Sequence, residues 1–416
     1  MKLNPIINSL LDQDCYKYSM GQCIFHQHQN KQTHWSFKCR NTDVEFTPEM
    51  VQEIKEQVEH YCSLRYTEEE LQYLLDSCKW LHKDYIDYLR FWHPRMENIF
   101  IGMQPAMTEK QKMIAYAKNE PIEVPKCGLM IEIDGSATEV SPYETPIMSI
   151  VTEVYYRMSG NYPALEKAWK DELGKKLIKM KDGTYDLGTF SEFGMRRRLS
   201  FETQDFLISQ LKDIPGFVGT SDVLLAKKYG VKAVGTMAHE FVMLVGQGYP
   251  ERNPAYSNKF MMDSWVKEYG ILNGIALTDT IGTPVFLRDF QLTYATLFSG
   301  VRHDSGDPIA WGDKMIEHYK SLGIDPTTKT LLFSDSLDGE RATKINNYFK
   351  GKAKVAFGIG TWFSGPVEGA LNIVIKTTAV DGQPVAKLSD ASGKNMCKDP
   401  AYIEYLKKAV DWRLNH

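Results

Sequence analysis

Several features are absent from the sequence, and each absence excludes a class of protein. No apolar run approaches the roughly 20 residues needed to span a bilayer, and the first 20 residues contain no hydrophobic stretch followed by a small-residue cleavage site. The seven cysteines are an odd number and form no CxxC pair. These absences predict a cytoplasmic protein with reduced thiols, no membrane span, no signal peptide and no zinc site.

The sequence also lacks a strong excess of charge of either sign. The net charge is −4 over 416 residues, of which 43% are hydrophobic and 25% charged, as in an ordinary globular protein. This balance gives no reason to expect nucleic acid. The pattern GxxxxGKS or GxxxxGKT is missing, so a nucleotide cannot be held in the P-loop way. His26 and His28 resemble metal ligands, but no Cys or acidic partner stands at useful spacing, so no protein-bound metal is predicted.

Residues 1 to about 125 favour amphipathic helices. Apolar residues recur every three or four positions in Pro48–Leu64, Glu68–Leu75 and Lys83–Phe91. Thr33–Arg40 alternates between apolar and polar residues, which predicts a strand with one exposed face. We therefore expect an N-terminal α+β domain over residues 1–128.

From about residue 129 the pattern changes to short apolar runs that end in polar clusters and precede helical segments. The clearest runs are Leu129–Gly135, Leu187–Gly194, Gly216–Asp222, Val231–His239, Gly274–Thr280, Gly300–Asp307, Thr330–Asp335 and Val355–Thr361. Such alternation predicts an α/β fold with a parallel sheet covered by helices. About eight units favour an irregular (β/α) barrel over residues 129–365, with its site after the strands. An open sheet with a crevice at a switch point is the alternative.

The remaining residues, 366–416, are predicted to complete the N-terminal domain. Leu371–Thr378, a turn at Gly382–Pro384 and Val385–Leu388 have the pattern of a β-hairpin. We expect this hairpin to pack on the N-terminal region and Ala401–Trp412 to form a helix.

Val231–Phe241 reads VKAVGTMAHEF and predicts a strand, a turn at Gly235 and Thr236, and a helix that begins near His239. Free backbone N–H groups and the positive end of the dipole gather at a helix start, which suits an imidazole that faces phosphate. The alternative is a histidine that satisfies the turn and does no chemistry. Similar polar clusters at other strand ends favour the chemical interpretation.

The strand ends carry arginines, glycine-rich turns and aspartates. They comprise Phe193, Arg196 to Arg198, Gly219 to Asp222, Asp279, Thr280, Arg302, Asp304 to Asp307, Ser334, Asp335, Gly358, Gly360 and Thr361. Guanidinium groups and bare backbone amides match phosphate oxygens, and aspartates accept sugar hydroxyls or hold Mg²⁺ through its waters. Each feature alone has a structural interpretation, such as a solvated arginine run, a turn or a helix cap. Together they favour a phosphosugar, with Phe193 offering its face to an aromatic partner.

A set of motifs in order along the chain resembles the bacterial nicotinate phosphoribosyltransferase family: DQDCYKYSM, EFGMRRRLS, GTSDVLLA, GTMAHEF, LTDTIGT, RHDSGDP, FSDSLD, FGIGTWFSG and GQPVAKLSD. The resemblance runs from near residue 5 to about residue 398. It implies a homodimer, with active sites at the subunit interface, that joins nicotinate to 5-phosphoribosyl-1-pyrophosphate in NAD biosynthesis. It further implies ATP as a cosubstrate, Mg²⁺, and a phosphohistidine intermediate.

The resemblance also implies a role for each matching residue. His239 would be phosphorylated, with Asp279 and Arg302 as further catalytic residues, and Phe193 and Tyr16 would sandwich the nicotinate ring, Tyr16 from the other subunit. The other implied substrate contacts are Arg196, Ser221, Thr236, Asp304, Ser334, Asp335, Gly358, Gly360 and Thr361, together with Arg40 and Lys387 from the partner subunit.

Three alternatives stay open at this point. Nicotinamide phosphoribosyltransferase has an aspartate where this chain has Ser221; a neutral donor suits a carboxylate, whereas an aspartate would repel it. Asp222, one position on, would reverse that preference if it turned inward. A metallohydrolase using His303 and Asp304 lacks further ligands at the other strand ends. A binding subunit without activity predicts a damaged motif set, and no damage is visible.

Periodicity places at most two of Arg196, Arg197 and Arg198 toward the site.

Overall fold

The computed structural model describes residues 3–103, 113, 127–390 and 397–416. Its strands form two sheets, one of five antiparallel strands and one of seven parallel strands. A mixed α/β fold with a separate antiparallel unit is therefore confirmed. The two sheets share one continuous core, which contains Trp35 of the antiparallel sheet and Phe333 of the parallel sheet.

The helices of the N-terminal part follow the predicted pattern. They are α1 (Tyr16–Gln27), α2 (Pro48–Ser63), α3 (Glu68–Ser77) and α4 (Lys83–Leu89). The side chains of Thr47 and Thr67 begin α2 and α3, because each accepts a hydrogen bond from the backbone N–H three residues on. The helices predicted from periodicity are confirmed.

The antiparallel sheet joins strands from both ends of the chain. Its strands are β1 (Gln32–Cys39), β2 (Ile99–Met103), β3 (Leu129–Ser136), β11 (Ile373–Val380) and β12 (Gln383–Pro384), in the order β12-β11-β1-β3-β2. Thr33 of β1 lies opposite Val380 of β11. The C-terminal hairpin thus packs on the N-terminal region, as predicted.

The assignment of Leu129–Gly135 to the barrel is wrong. This segment, as β3, pairs antiparallel with β1 and β2, so Trp35 lies opposite Ile133 and Ile99 pairs with the same residue. A domain boundary at residue 129 would therefore separate β3 from its sheet. Ile131 is buried and Glu132 is not, which is the alternation of a strand with one open face.

The parallel sheet has seven strands, one fewer than the sequence suggested. They are β4 (Thr189–Glu192), β5 (Phe217–Thr220), β6 (Lys232–Ala233), β7 (Ile275–Leu277), β8 (Gly300–His303), β9 (Thr330–Phe333) and β10 (Lys354–Ile359), in the order β6-β5-β4-β10-β9-β8-β7. Among the described residues no strand pairing closes the sheet between β6 and β7. The Thr236 hydroxyl spans that gap and donates a hydrogen bond to the Ile275 carbonyl at 3.1 Å. The barrel is therefore irregular and only partly closed.

Helices follow most of the parallel strands. The remaining helices are α5 (Ala137–Val140), α6 (Glu144–Met158), α7 (Tyr162–Lys181), α8 (Phe201–Leu211), α9 (Val223–Tyr229), α10 (His239–Gln247), α11 (Ser257–Tyr269), α12 (Thr283–Asp289), α13 (Leu292–Leu297), α14 (Pro308–Ser321), α15 (Gly339–Phe349), α16 (Thr361–Ser364) and α17 (Pro400–Asn415). No helix in the described residues is both long enough and apolar enough to cross a membrane. All seven cysteine thiols are free.

The C-terminal helix α17 packs on the barrel and not on the N-terminal domain. Its Arg413 guanidinium donates to the Ala255 carbonyl at 2.7 Å and to Asp289 Oδ2 at 2.9 Å. Leu406 and Val410 share a small apolar cluster with Val285 of α12. The prediction that all of residues 366–416 complete the first domain therefore holds for the hairpin and fails for this helix.

A buried ion pair fixes the N-terminal segment to the barrel. The Arg198 guanidinium donates to both oxygens of Asp12, at 2.7 and 2.8 Å, and both side chains are almost fully buried. Arg198 also lies 3.5 Å from Asp222. Removing one partner leaves the other charge buried without compensation.

We expect Asp12→Ala to lower the free energy of unfolding by about 3–5 kcal/mol, because the buried Arg198 charge loses both short hydrogen bonds and keeps only longer contacts, such as those with Asp222 and Gln204. Chemical denaturation of purified protein would measure this loss. The control is Glu404→Ala, which breaks an exposed pair with Lys407 at 2.8 Å and should cost less than about 1 kcal/mol. Equal costs for the two variants would contradict the prediction.

Candidate active site

His239 is the first residue of α10. Ala238 before it has an extended backbone, with φ −126° and ψ 171°, so the helix begins at His239 as predicted. The imidazole is buried and its Nε2 atom lies 2.9 Å from Asp279 Oδ1 and 3.4 Å from Asp304 Oδ2. A histidine at a helix start therefore meets two strand-end carboxylates.

Asp279 and Asp304 meet because they follow neighbouring parallel strands, β7 and β8, which end at the same edge of the sheet. Lys387 reaches the same place from the segment after β12. Its Nζ atom lies 2.9 Å from Asp279 Oδ2 and 3.4 Å from Asp304 Oδ2. We call His239, Asp279, Asp304 and Lys387 the histidine cluster.

The histidine cluster sets the charge of each member. Burial and the Lys387 ammonium lower the pKa of His239 to about 4, against the opposing effect of Asp279. Burial works to raise the pKa of Asp279, but His239 and Lys387 outweigh it and the pKa lies well below its usual value. Arg302 and Lys387 likewise hold the pKa of Asp304 below its usual value despite burial. At neutral pH the cluster therefore contains a neutral imidazole, two carboxylates and an ammonium.

Arg302 is held on three sides at the edge of this cluster. Its Nε donates to Ser334 Oγ at 3.0 Å, its Nη1 to the Met237 carbonyl at 2.9 Å, and its Nη2 to Asp304 Oδ1 at 3.3 Å. Asp335, the residue after Ser334, accepts a hydrogen bond from Ser336. The structure thus brings Arg302, Asp304 and Ser334 together, as their places after β8 and β9 predicted.

The carboxylates of the histidine cluster fit a magnesium ion that keeps its waters. The ligand atoms of His239, Asp279 and Asp304 lie within 4.8 Å of one another, and carboxylate oxygen is the donor that Mg²⁺ prefers. The Lys387 ammonium already contacts both carboxylates. An ion bound directly between them would compete with this ammonium, so water-mediated contact suits the site better.

The glycines at the end of β10 make room for Phe193. A Cβ atom at Gly358 would lie 2.4 Å from the Phe193 ring, and one at Gly360 would lie 2.9 Å from the Phe193 carbonyl oxygen. Thr361 is the first residue of α16. These positions therefore have a packing reason to be glycine in addition to the predicted phosphate contact.

The three consecutive arginines have three different surroundings. Arg196 is partly exposed and lies 3.5 Å from Glu144, while Arg197 donates to the Ile373 carbonyl at 3.4 Å. Arg198 is the buried partner of Asp12. Arg196 and Arg197 are thus both partly exposed and near Asp304, whereas Arg198 is part of the core.

Tyr16 and Lys387 lie in the site of their own chain. Burial and Glu144 raise the pKa of Tyr16 while Arg196 works against them, so Tyr16 lies among site residues of the same chain. The Lys387 ammonium likewise contacts its own chain's Asp279. That a second subunit supplies these two residues stays a prediction. Arg40 is half-buried at the end of β1, near enough to Arg197 to lower the pKa of that arginine, after the larger effects of burial and Arg196.

His303 does not face the site. Its ring packs edge-on against Trp311, with ring centroids 5.3 Å apart, and lies 5.7 Å from the Phe333 ring. The side chain belongs to the aromatic core behind β8. A metallohydrolase built on His303 and Asp304 is therefore excluded by the placement of the histidine.

Comparison with known proteins gives one consistent family. The nicotinate phosphoribosyltransferase (NAPRTase) family model matches residues 189–413, and the model of its N-terminal domain matches residues 11–152. The chain belongs to the nicotinate phosphoribosyltransferase family. The proteins of that name from Cupriavidus necator and, as number 2, Pseudomonas aeruginosa are 38% and 40% identical, over 97% of this chain and 98% and 96% of theirs.

Solved structures of family members share the fold. A nicotinate phosphoribosyltransferase from Vibrio cholerae has a TM-score of 0.87 at 33% identity, over 99% of this chain and 96% of that one. A putative member from Saccharomyces cerevisiae has a TM-score of 0.84 at 32% identity, over 99% and 100% of the two chains.

Ser221 and Asp222, which bear on the choice between acid and amide in this family, have separate environments. The Ser221 hydroxyl donates to Asp14 Oδ1 at 2.5 Å. Asp222 is fully buried, accepts a hydrogen bond from Leu225 N at the start of α9, and lies 3.5 Å from Arg198. Asp222 is therefore a helix cap that turns away from the pocket, and it does not reverse the preference read from Ser221.

Sequence reasoning missed a buried ion cluster beneath the pocket of this nicotinate phosphoribosyltransferase family member. Lys17 lies 2.7 Å from Glu144 and 2.5 Å from Glu240, which is the residue after His239. Burial lowers the pKa of Lys376, a neighbour of Glu144, to about 8. Lys17 belongs to the DQDCYKYSM motif, so the sequence did mark this residue. Its partners Glu144 and Glu240 are distant in sequence, and the pairing could not be predicted from the motif.

Lys387→Met should raise the pKa of His239 from about 4, because the neighbouring positive charge no longer opposes protonation. Nitrogen NMR of labelled histidine across a pH titration would measure it. Lys376→Met removes another buried ammonium that is not among the main influences on His239, and should shift that pKa less. An unchanged His239 pKa in Lys387→Met would contradict the electrostatic assignment.

Proposed function

We propose that this chain joins nicotinate to 5-phosphoribosyl-1-pyrophosphate in an ATP-coupled reaction that passes through a phosphohistidine at His239. The products are nicotinate mononucleotide, pyrophosphate, ADP and phosphate. The observation that carries the proposal is the neutral, buried imidazole of His239, at a helix start and bonded to Asp279. The names of the relatives supply nicotinate and the transfer of a phosphoribosyl group, and ATP belongs to the proposal.

The histidine cluster suits attack on a phosphate. An ionised Asp279 can only accept a hydrogen bond, so the proton of the neutral ring resides on Nε2, which faces it. The lone pair is then on Nδ1, which we propose as the atom that attacks the γ-phosphate of ATP. A P–N bond forms, the P–O bond to ADP breaks, and water later releases the phosphate.

The second step needs positive charge near the leaving group. The ring nitrogen of nicotinate bonds to C1 of the ribose as the bond from C1 to pyrophosphate breaks, so negative charge develops on the pyrophosphate. Arg302 and Lys387 lie at the strand ends to meet that charge. Mg²⁺, when bound with the substrate, supplies further positive charge to the same oxygens. Asp304 and Asp335 would accept hydrogen bonds from the ribose hydroxyls.

We propose that the nicotinate ring lies between Phe193 and Tyr16. The Tyr16 hydroxyl is buried without a hydrogen-bond partner among the described residues. Arg196 lies beside Tyr16, and its positive charge suits the nicotinate carboxylate. Nicotinamide, the alternative substrate, carries a neutral amide in place of the carboxylate and would lack this charge attraction.

The proposal includes a homodimer in the cytoplasm. Arg40 is proposed to reach the partner's site, as the family resemblance implies. The free cysteines suit a reducing compartment. Light scattering of the purified protein, with and without substrates, would measure the oligomeric state.

A mass-spectrometric assay tests the function. Purified protein would receive phosphoribosyl pyrophosphate and Mg²⁺ with nicotinate or nicotinamide, each with and without ATP. Nicotinate mononucleotide formed faster with ATP, alongside ADP, is the expected result. If product forms from nicotinamide and not from nicotinate, the chain would be assigned as a nicotinamide phosphoribosyltransferase. If neither base gives product, the proposed function would be wrong.

In the same assay, His239→Ala should abolish nicotinate-dependent ATP hydrolysis while slow, ATP-independent product formation persists. The reason is that the variant loses the phosphate acceptor but keeps Arg302 and the strand-end carboxylates. Circular dichroism would verify the fold of the variant. Unchanged ATP turnover would refute the role of His239.

Ser221→Asp should raise the KM for nicotinate about tenfold or more, equivalent to about 1.4 kcal/mol. The new carboxylate would stand beside Asp14 and repel the carboxylate of the substrate. Ser221→Ala is the matched control, since it removes the hydroxyl without adding charge. Steady-state kinetics with each base would measure the effect, and an unaltered KM in Ser221→Asp would disprove the acid-selectivity argument.

A further inference from the structure

A second histidine-containing cluster lies outside the active site. His26 in the last turn of α1, His82 just before α4, and Glu268 near the end of α11 each place a ligand atom within 4.8 Å of the other two. Asp84, in the first turn of α4, lies beside them. Four potential metal-ligating side chains from three parts of the chain therefore converge at one point.

The geometry of this cluster is fixed by hydrogen bonds. His26 Nδ1 lies 2.6 Å from Glu268 Oε1, and His26 Nε2 lies 3.2 Å from Asp84 Oδ2. Gln22 and Gln27 of α1 both donate to Glu268 at 3.0 Å. The carboxylate of Glu268 is therefore oriented by amides that also belong to α1.

The two imidazoles lie side by side. The ring centroids of His26 and His82 are 5.6 Å apart with an interplanar angle of 29°. His26 is half-buried and His82 exposed, so the cluster is open to solvent on the His82 side. A ligand from solution can reach it without rearrangement of the core.

A neutral histidine cannot satisfy both carboxylates that flank His26. Neutral imidazole carries one N–H, so one of its nitrogens faces a carboxylate with a lone pair. A metal ion bound at this point would accept a lone pair from His26. Two imidazoles and a carboxylate within reach of one another are the donor set of zinc-class ions.

We propose that His26, His82 and Glu268 bind a divalent transition-metal ion of the zinc class, with Asp84 or water completing a four-coordinate site. The ion would connect α1, whose first turn carries Tyr16 and Lys17, to α4 and to the barrel helix α11. The role is structural and separate from the histidine cluster. The three ligands are too far apart in sequence to form a spacing motif.

Titration of chelator-treated, dialysed full-length protein with zinc chloride tests the proposal. Isothermal calorimetry without substrates should show one more high-affinity equivalent in the wild type than in His82→Ala, or a Kd for that equivalent weakened by more than about tenfold. Any metal bound by the active-site carboxylates is common to both proteins and cancels. His82 is exposed, which makes the substitution compatible with folding.

His34→Ala is the matched control. His34 also lies between two carboxylates, 2.7 Å from Asp134 and 3.0 Å from Glu132, but its neighbour is Lys398 in place of a second histidine. This variant should keep the zinc equivalent. Cobalt added to the wild type should give the visible spectrum of a four-coordinate ion, which His82→Ala and Glu268→Gln should lose.

Two results would overturn the proposal. One is the same zinc stoichiometry and affinity in the wild type, His82→Ala and Glu268→Gln. The other is an equal loss in His34→Ala, which would mean that zinc binds exposed histidines generally. Either result would leave His26 as a histidine hydrogen-bonded between two carboxylates.

Discussion

The ammonium of Lys387, buried between two carboxylates, is the contact on which the active site depends. It belongs to the segment that follows the antiparallel sheet, yet it contacts Asp279 and Asp304 at the ends of parallel strands. Burial, and after it this charge, lowers the pKa of His239 and keeps the imidazole neutral. One contact therefore joins the C-terminal segment to the barrel and contributes to the protonation state of the histidine.

Local patterns were sufficient for much of the fold. Periodicity located α2 to α4, and short apolar runs located all seven parallel strands. Local pattern could not assign β3 to its sheet, because a strand's partners are chosen by contacts far away in sequence. The alternation of Ile131 with Glu132 was the available signal, since it is typical of an antiparallel strand with one open face.

Site residues could be predicted from the sequence where the order of the strands determines where a side chain lies. They could not be predicted where packing between distant segments determines it. Arg302 lies near the end of β8, and Asp304 and His239 come after β8 and β6, so all three lie at the same end of the parallel strands and their proximity was predictable. Asp222 was ambiguous from sequence, because a small rotation separates a pocket residue from a helix cap; its contact with Arg198 decides the matter. Lys17, Glu144 and Glu240 were missed because each pairing joins distant segments.

The pairing of β1 with β11 has a consequence for how the protein is made. Thr33 of β1 pairs with Val380 of β11, which is far away in sequence. The ribosome must therefore synthesise the chain as far as β11 before β1 can pair on both of its sides. Contacts this distant form slowly. Lys387 emerges later still, which means that a nascent or truncated chain has the barrel strands but no complete histidine cluster. The four members of the histidine cluster can thus come together only after Lys387 has been synthesised.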